Sequence, residues 1–161
     1  MIEALEILTD LTKNEVKYLL CGGLAVNIYG IPRVTADIDL IIDFTKDNVA
    51  NFIEILLKHH YISNIPVGLE NFVDESYKNK IKIEKNLIAY SFHSTLRSVT
   101  ILDVIIDCPY SFSEMWINRE SRNTRLGTIN LVSIEHLIGM KEIANRIQDK
   151  KDVEALLKIK K

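Results

Sequence analysis

Gly22-Gly23-Leu24-Ala25-Val26-Asn27-Ile28-Tyr29-Gly30-Ile31-Pro32-Arg33-Val34-Thr35-Ala36-Asp37-Ile38-Asp39-Leu40 is the stretch around which the 161-residue chain is organised. An apolar run at residues 16–20 enters the glycine pair and reads as a short buried strand. Residues 24–29 read as a helix that begins at the glycines, so backbone N–H groups of its first turn face whatever sits there. Gly30 suits a left-handed helix end and Pro32 discourages continuation. Residues 36–44 then read as a second strand. Its alternation puts Ile38, Leu40 and Ile42 on one face and Asp37, Asp39, Ile41 and Asp43 on the other. The nearly continuous apolar second half indicates a central strand.

Two carboxylates on one strand face repel, and a divalent cation relieves that conflict. Mg2+ takes hard oxygen ligands, commonly one or two carboxylates together with substrate phosphates. A third carboxylate is available at Asp103, inside Ile101-Leu102-Asp103-Val104-Ile105. An aspartate with two apolar residues on each side runs against strand propensity. Asp43 and Asp107 fall at the ends of the same two strands. An Asp-x-Asp alone is often a solvated turn, and a glycine pair alone is often only a tight turn. Both in one unit, with a third strand aspartate downstream, point to a metal and phosphate site.

Outward from that unit, residues 2–13 carry an apolar stripe of helical period, and Thr45 with Asp47 opens a second helix with a stripe from Val49 to Leu57. Residues 61–84 read as short strands or an irregular excursion. Strands are expected at 87–93, 100–106 and 128–132. Residues 112–117 read as a helical turn or an edge segment, and 118–127 as a polar loop. Ser133 caps a long helix, and a last helix runs over 150–159. The order predicts an α+β fold: a mixed sheet flanked by helices, closed by a C-terminal helical pair. One domain accounts for the length, with a core at about 1–132 and the two helices at about 133–161.

A net charge of −2 is not the signature of a nucleic-acid binder. Arg119, Arg122 and Arg125 read either as a basic edge for RNA or as a solvated loop. The two cysteines, Cys21 and Cys108, do not suggest a disulfide framework, and each belongs with an apolar run. No leader pattern and no apolar run of ~20 residues is present, which makes the cytoplasm the expected location, with no membrane partner. His59 and His60 read as surface residues, His93 and His136 as structural ones.

Strand, Gly22-Gly23, helix, Gly30, Arg33, Thr35, Asp37-Ile38-Asp39-Leu40 and the later Asp103 resemble the nucleotidyltransferase superfamily with the DNA polymerase β-like fold. The spelling is most similar to the AbiEii-type branch, which includes toxins of toxin–antitoxin systems, and is also similar to small aminoglycoside-nucleotidylating enzymes. Met140-Lys141 and Arg146-x-x-Asp149-x-x-Asp152 resemble a helical signature that closes such short proteins. The resemblance implies that Gly22 and Gly23 contact the phosphates of an NTP such as ATP. It implies that Asp37 and Asp39 ligate Mg2+ (two ions, or Mn2+ in their place), and that Asp103 ligates the second ion and orients or deprotonates an acceptor hydroxyl. Arg33, Thr35 and Lys141 are nucleotide-binding candidates; for Arg33 an ion pair with a nearby carboxylate is an equal reading. The implied activity is transfer of an NMP to a hydroxyl of RNA, protein or a small molecule, with release of pyrophosphate. A cognate antitoxin or toxin, or a second copy, is the implied protein partner. The alternative is a regulatory member that binds without catalysis.

Overall fold

In the computed structural model, residues 2–63, 65–85, 87–96 and 100–160 are described. The chain opens with helix α1 (Ile2–Lys13), whose Ile7, Leu8 and Leu11 are buried. Strand β1 (Tyr18–Leu20) leads through Cys21 into helix α2 (Gly22–Ile28) and then strand β2 (Ile38–Ile42). Helix α3 (Lys46–Lys58) and strand β3 (Tyr61–Ser63) follow. After a 3-10 turn (Leu69–Val73) come helix α4 (Glu75–Lys85), strand β4 (Ala89–Ser94) and strand β5 (Ile101–Ile105). Helix α5 (Phe112–Ile117), the hairpin β6 (Glu120–Asn123) and β7 (Thr128–Leu131), and helices α6 (Ile134–Ala144) and α7 (Ile147–Ile159) complete the chain.

The strands form one sheet in the order β3-β4-β5-β2-β1-β7-β6. The pairs β2–β5 and β1–β7 are parallel and the others antiparallel, so the sheet is mixed. This is the α+β architecture expected, with β2 at the centre and α6 and α7 as the C-terminal helical pair. One face is sealed by the apolar stripes of α1 and α3: Phe52 meets Phe92 edge-on with ring centroids 6.1 Å apart, and Tyr18 donates its hydroxyl to the Leu8 carbonyl at 2.7 Å. Asn48 is buried yet fully engaged. Its Oδ1 accepts from the Lys17 N–H at 2.7 Å and its Nδ2 donates to the carbonyls of Lys17 and Asp43, which clamps the end of β2 to β1. The other face is less covered at alternate positions of β4 and β5, and Asp103 stands there.

Residues 61–84 are mainly helical rather than a set of strands or an irregular excursion; Asn64 within them lies outside the described residues. The alternating apolar residues before Phe72 belong to β3, a bend and a single 3-10 turn, while α4 presents Tyr77 and Ile81 to the core, leaves Ile83 exposed and is otherwise polar. The start of α4 is marked in the sequence by Asp74, whose carboxylate accepts from the N–H groups of Ser76 and Tyr77. Residues 120–123, expected in a polar loop, form strand β6. An edge strand with one partner needs no apolar face, and here backbone pairing with β7 specifies it. Ser133 caps α6 as expected, accepting from the His136 N–H.

Candidate active site

The β1–α2 turn is fastened to β2 by the Cys21 N–H, which donates to the Asp39 carbonyl at 2.9 Å. Gly22 follows at φ +62, a left-handed conformation. A Cβ there would lie 1.8 Å from Asp39 Oδ2, so only glycine lets the turn close over the carboxylate. A Cβ on Gly23 would lie 2.7 Å from Thr35 Oγ1 and 2.8 Å from Arg33 Cζ. The glycine pair therefore serves as a floor onto which Asp39, Thr35 and Arg33 close.

Asp39 on β2 is the in-register partner of Asp103 on β5. Adjacent parallel strands bring the two carboxylates side by side, although 64 positions separate them in sequence. Burial raises the Asp39 pKa most, the charges of Asp103 and Asp37 raise it further, and the Gly23 N–H and Lys141 act against the rise. Asp103 Oδ1 accepts from Ser91 Oγ at 2.6 Å, and Ser91 is its register partner on β4. Sequence reasoning passed over Ser91; the signal was a polar residue at the alternate position of β4. Asp37 is placed differently. The strand begins at Ile38, so alternation does not fix Asp37 beside Asp39, and it lines a neighbouring hollow with Leu24 and Thr35. Among the described residues no three His, Cys, Asp or Glu side chains converge on a single point.

Arg33 and Lys141 share a partner. Lys141 Nζ, only 5% exposed, donates to Asp152 Oδ2 at 2.7 Å and to Asp149 Oδ1 at 3.3 Å. Arg33 Nη1 reaches the same Asp152 oxygen at 2.6 Å, and Gln148 donates to its Oδ1. Arg146 Nε donates to Asp149 Oδ2 at 2.7 Å. Burial resists ionisation of Asp149 and Asp152, each 2% exposed, but their cationic partners prevail and both pKa values are lowered. The C-terminal signature is thus a buried ion cluster set against the loop that precedes β2.

A cavity of about 510 Å3 opens over the acidic pair. Gly22, Asp39 and Asp103 form its floor, and Met140, Lys141 and Ile143 of α6 face them. Burial first, and then the nearby Asp39, push the Cys21 thiol well up, which removes it as a nucleophile. Outside the cavity, His136 bonds Ser133 through Nδ1 at 2.9 Å, His59 bonds Asp10 at 3.0 Å, and Tyr29 donates to the Val132 carbonyl. Arg119 lies over the Trp116 ring and Arg122 pairs with Glu120, both beside β6.

No family model matches the sequence, and no curated protein matches it significantly. Solved structures do. A lincosamide antibiotic adenylyltransferase, LnuA, determined with lincomycin bound, matches with a TM-score of 0.64 at 17% identity, over 98% of this chain and 96% of that one. An antigenic nucleotidyltransferase-like protein from Paracoccidioides brasiliensis matches with a TM-score of 0.55 at 16% identity, over 98% of this chain and 73% of that one. The chain has the nucleotidyltransferase fold. Among the described residues no helix is long and apolar enough to cross a membrane.

Proposed function

We propose that the protein moves a nucleoside monophosphate from an NTP to a hydroxyl acceptor, with a divalent cation. The observation that carries this reading is the in-register pair Asp39–Asp103, pressed together under the glycine turn at the floor of the cavity. An oxygen-only donor pair, one member half-buried and biased against its own charge, fits Mg2+ or Mn2+. Asp39 and Asp103 would hold the cation, with Asp37 joining from the preceding loop and a second ion shared with the substrate. When bound, the cation supplies charge neutralisation at the phosphates and at the attacking and leaving oxygens.

The chain's own residues do the rest. Gly22 and Gly23 would meet the phosphates through backbone N–H groups, while the space of their missing Cβ atoms is taken by Asp39, Thr35 and Arg33. Lys141 places positive charge beside the acidic pair, and Arg33 and Thr35 pack at the Gly23 wall. Asp103, held by Ser91, accepts the proton of the acceptor hydroxyl or orients it. The acceptor oxygen bonds to the α-phosphorus, the bond from that phosphorus to the β-bridging oxygen breaks, and pyrophosphate leaves. The adenylyl activity named for LnuA favours ATP as donor. RNA, protein and small molecules all offer a suitable hydroxyl. The AbiEii-type branch, with a cognate toxin or antitoxin or a second copy as partner, places the same chemistry in a regulatory pair.

The test is a labelling screen. The protein, Mg2+ and each NTP labelled at the α-phosphate are incubated with RNA, protein or small-molecule hydroxyl compounds, beside Asp37→Ala/Asp39→Ala. Label in the wild-type sample alone supports the reading. Equal label in both removes it, and nucleotide binding without transfer in every arm favours the non-catalytic alternative.

A further inference from the structure

The two halves of the cavity differ in chemistry. In the sheet order β4-β5-β2-β1, Asp103 lies on the side of Asp39 away from the β1–α2 turn. Phosphates at Gly22 and Gly23 therefore leave the β4–β5 side for the acceptor. That side is apolar: Ala89 and Ile105 line the sheet, Ile88 stands at the mouth, and Met140 and Ile143 face them from α6. Ile88 is 61% exposed and Ile143 65%, so two large aliphatic side chains flank the entrance.

Charge argues against a polyanionic acceptor. Among the described residues the cations lining the cavity are Lys141 and Arg146, and both are held by Asp149. Asp107, also in the lining beside Ile105, is paired with Lys82 and offers an anion no positive partner. The arginines that could track an RNA backbone lie beside β6, four strand spacings from β5, or about 19 Å away. A single-stranded RNA end needs a cationic track and stacking rings next to the reacting hydroxyl; this wall offers aliphatic side chains. The whole cavity, nucleotide half included, measures about 510 Å3, within the range of small-molecule sites.

Resting on the nucleotidyl-transfer reading, we infer that the acceptor is a small, non-anionic organic molecule. It presents a hydroxyl to Asp103 and an apolar flank to Ile88, Ile105 and Ile143. Asp103 sets the reacting end, and the aliphatic wall selects the body of the molecule. No cationic residue is required on the acceptor side.

Methyl-labelled isoleucine spectra of the full chain test this. The probes are hydroxyl-bearing small molecules of about 20–30 heavy atoms, an RNA oligonucleotide with a free 3′-hydroxyl, and a Ser/Thr/Tyr peptide mixture, each with Mg2+ and ATP. Expected are compounds that shift the Ile88 and Ile143 methyl signals and gain one NMP by mass. For such a compound, Ile143→Glu, an exposed position that tolerates charge, raises its KM about tenfold with little change in the KM for ATP. Nucleotide transferred to the RNA or the peptides, with no compound shifting those signals, overturns the inference and leaves nucleotidyl transfer standing. A panel in which nothing shifts them overturns it as well. Compounds that shift the signals while no arm gains an NMP retain the apolar site and sink the transfer reading.

Discussion

Arg33 Nη1 and Asp152 Oδ2 lie 2.6 Å apart, joining the loop before β2 to the last helix across 119 residues of chain. The same oxygen receives Lys141, so one buried carboxylate holds Lys141 at the cavity wall and Arg33 beside Gly23. The C-terminal helices thereby close the site rather than merely follow it. Thr35 and Asp37 sit on the tethered loop, and Lys141 lines the cavity.

Removing Asp152 takes a carboxylate from the buried Lys141 and the half-buried Arg33. Asp152→Ala is expected to cost about 3–5 kcal/mol of stability, read from urea unfolding midpoints. A cycle with Arg33→Ala is expected to give a coupling of about 1–3 kcal/mol. Strict additivity would show that the 2.6 Å contact does not tie the loop.

The cluster also sets an acid limit. Burial opposes the charge on Asp149 and Asp152, yet Arg146, Lys141, Gln148 and Arg33 bring both pKa values below the usual carboxylate value. A depressed native pKa means that the unfolded chain takes up protons first, so the stabilisation is complete above the unfolded pKa of about 3.9. It disappears as pH falls from there through the lower native values. Unfolding midpoints should therefore drop steeply below about pH 4, and Asp152→Asn should flatten that drop while lowering the neutral-pH plateau.

Gly22 and Gly30 provide an internal control. Both have positive φ, +62 and +95, but a Cβ at Gly30 meets nothing within 4 Å. Gly30→Ala carries the backbone strain alone, about 1–2 kcal/mol, and should retain nucleotide binding. Gly22→Ala adds the collision with Asp39 and should lose Mg2+-dependent nucleotide binding; binding measurements on the two variants separate strain from site damage.

Ser91→Ala removes the hydroxyl that orients Asp103. A fall in kcat of about tenfold with an unchanged KM for ATP is expected. A rise in the KM for ATP alone would place Ser91 in nucleotide binding instead.

Much of this was legible in the sequence because strand alternation and glycine chemistry are local. The central strand, the glycine turn and Asp103 on a neighbouring strand followed from residues 16–44 and 101–105. Three features were not local. The position of Asp37 depends on where β2 starts, which neighbour pairing decides. Helix α4 has too few apolar anchors for periodicity to declare it, and only the Asp74 cap marked it. The partner of Arg33 and Lys141 emerges only when α7 packs back onto the loop. The Arg146-x-x-Asp149-x-x-Asp152 spacing gave the residues without their common target.

Calorimetric titration of a non-hydrolysable ATP analogue into the wild type, Asp39→Asn and Asp103→Asn, with Mg2+ and then with chelator, tests the central claim most directly. The acidic pair should make wild-type binding depend on Mg2+, and each variant should weaken it on the order of 100-fold. Equal affinity in all three proteins, or binding indifferent to the chelator, would contradict the account.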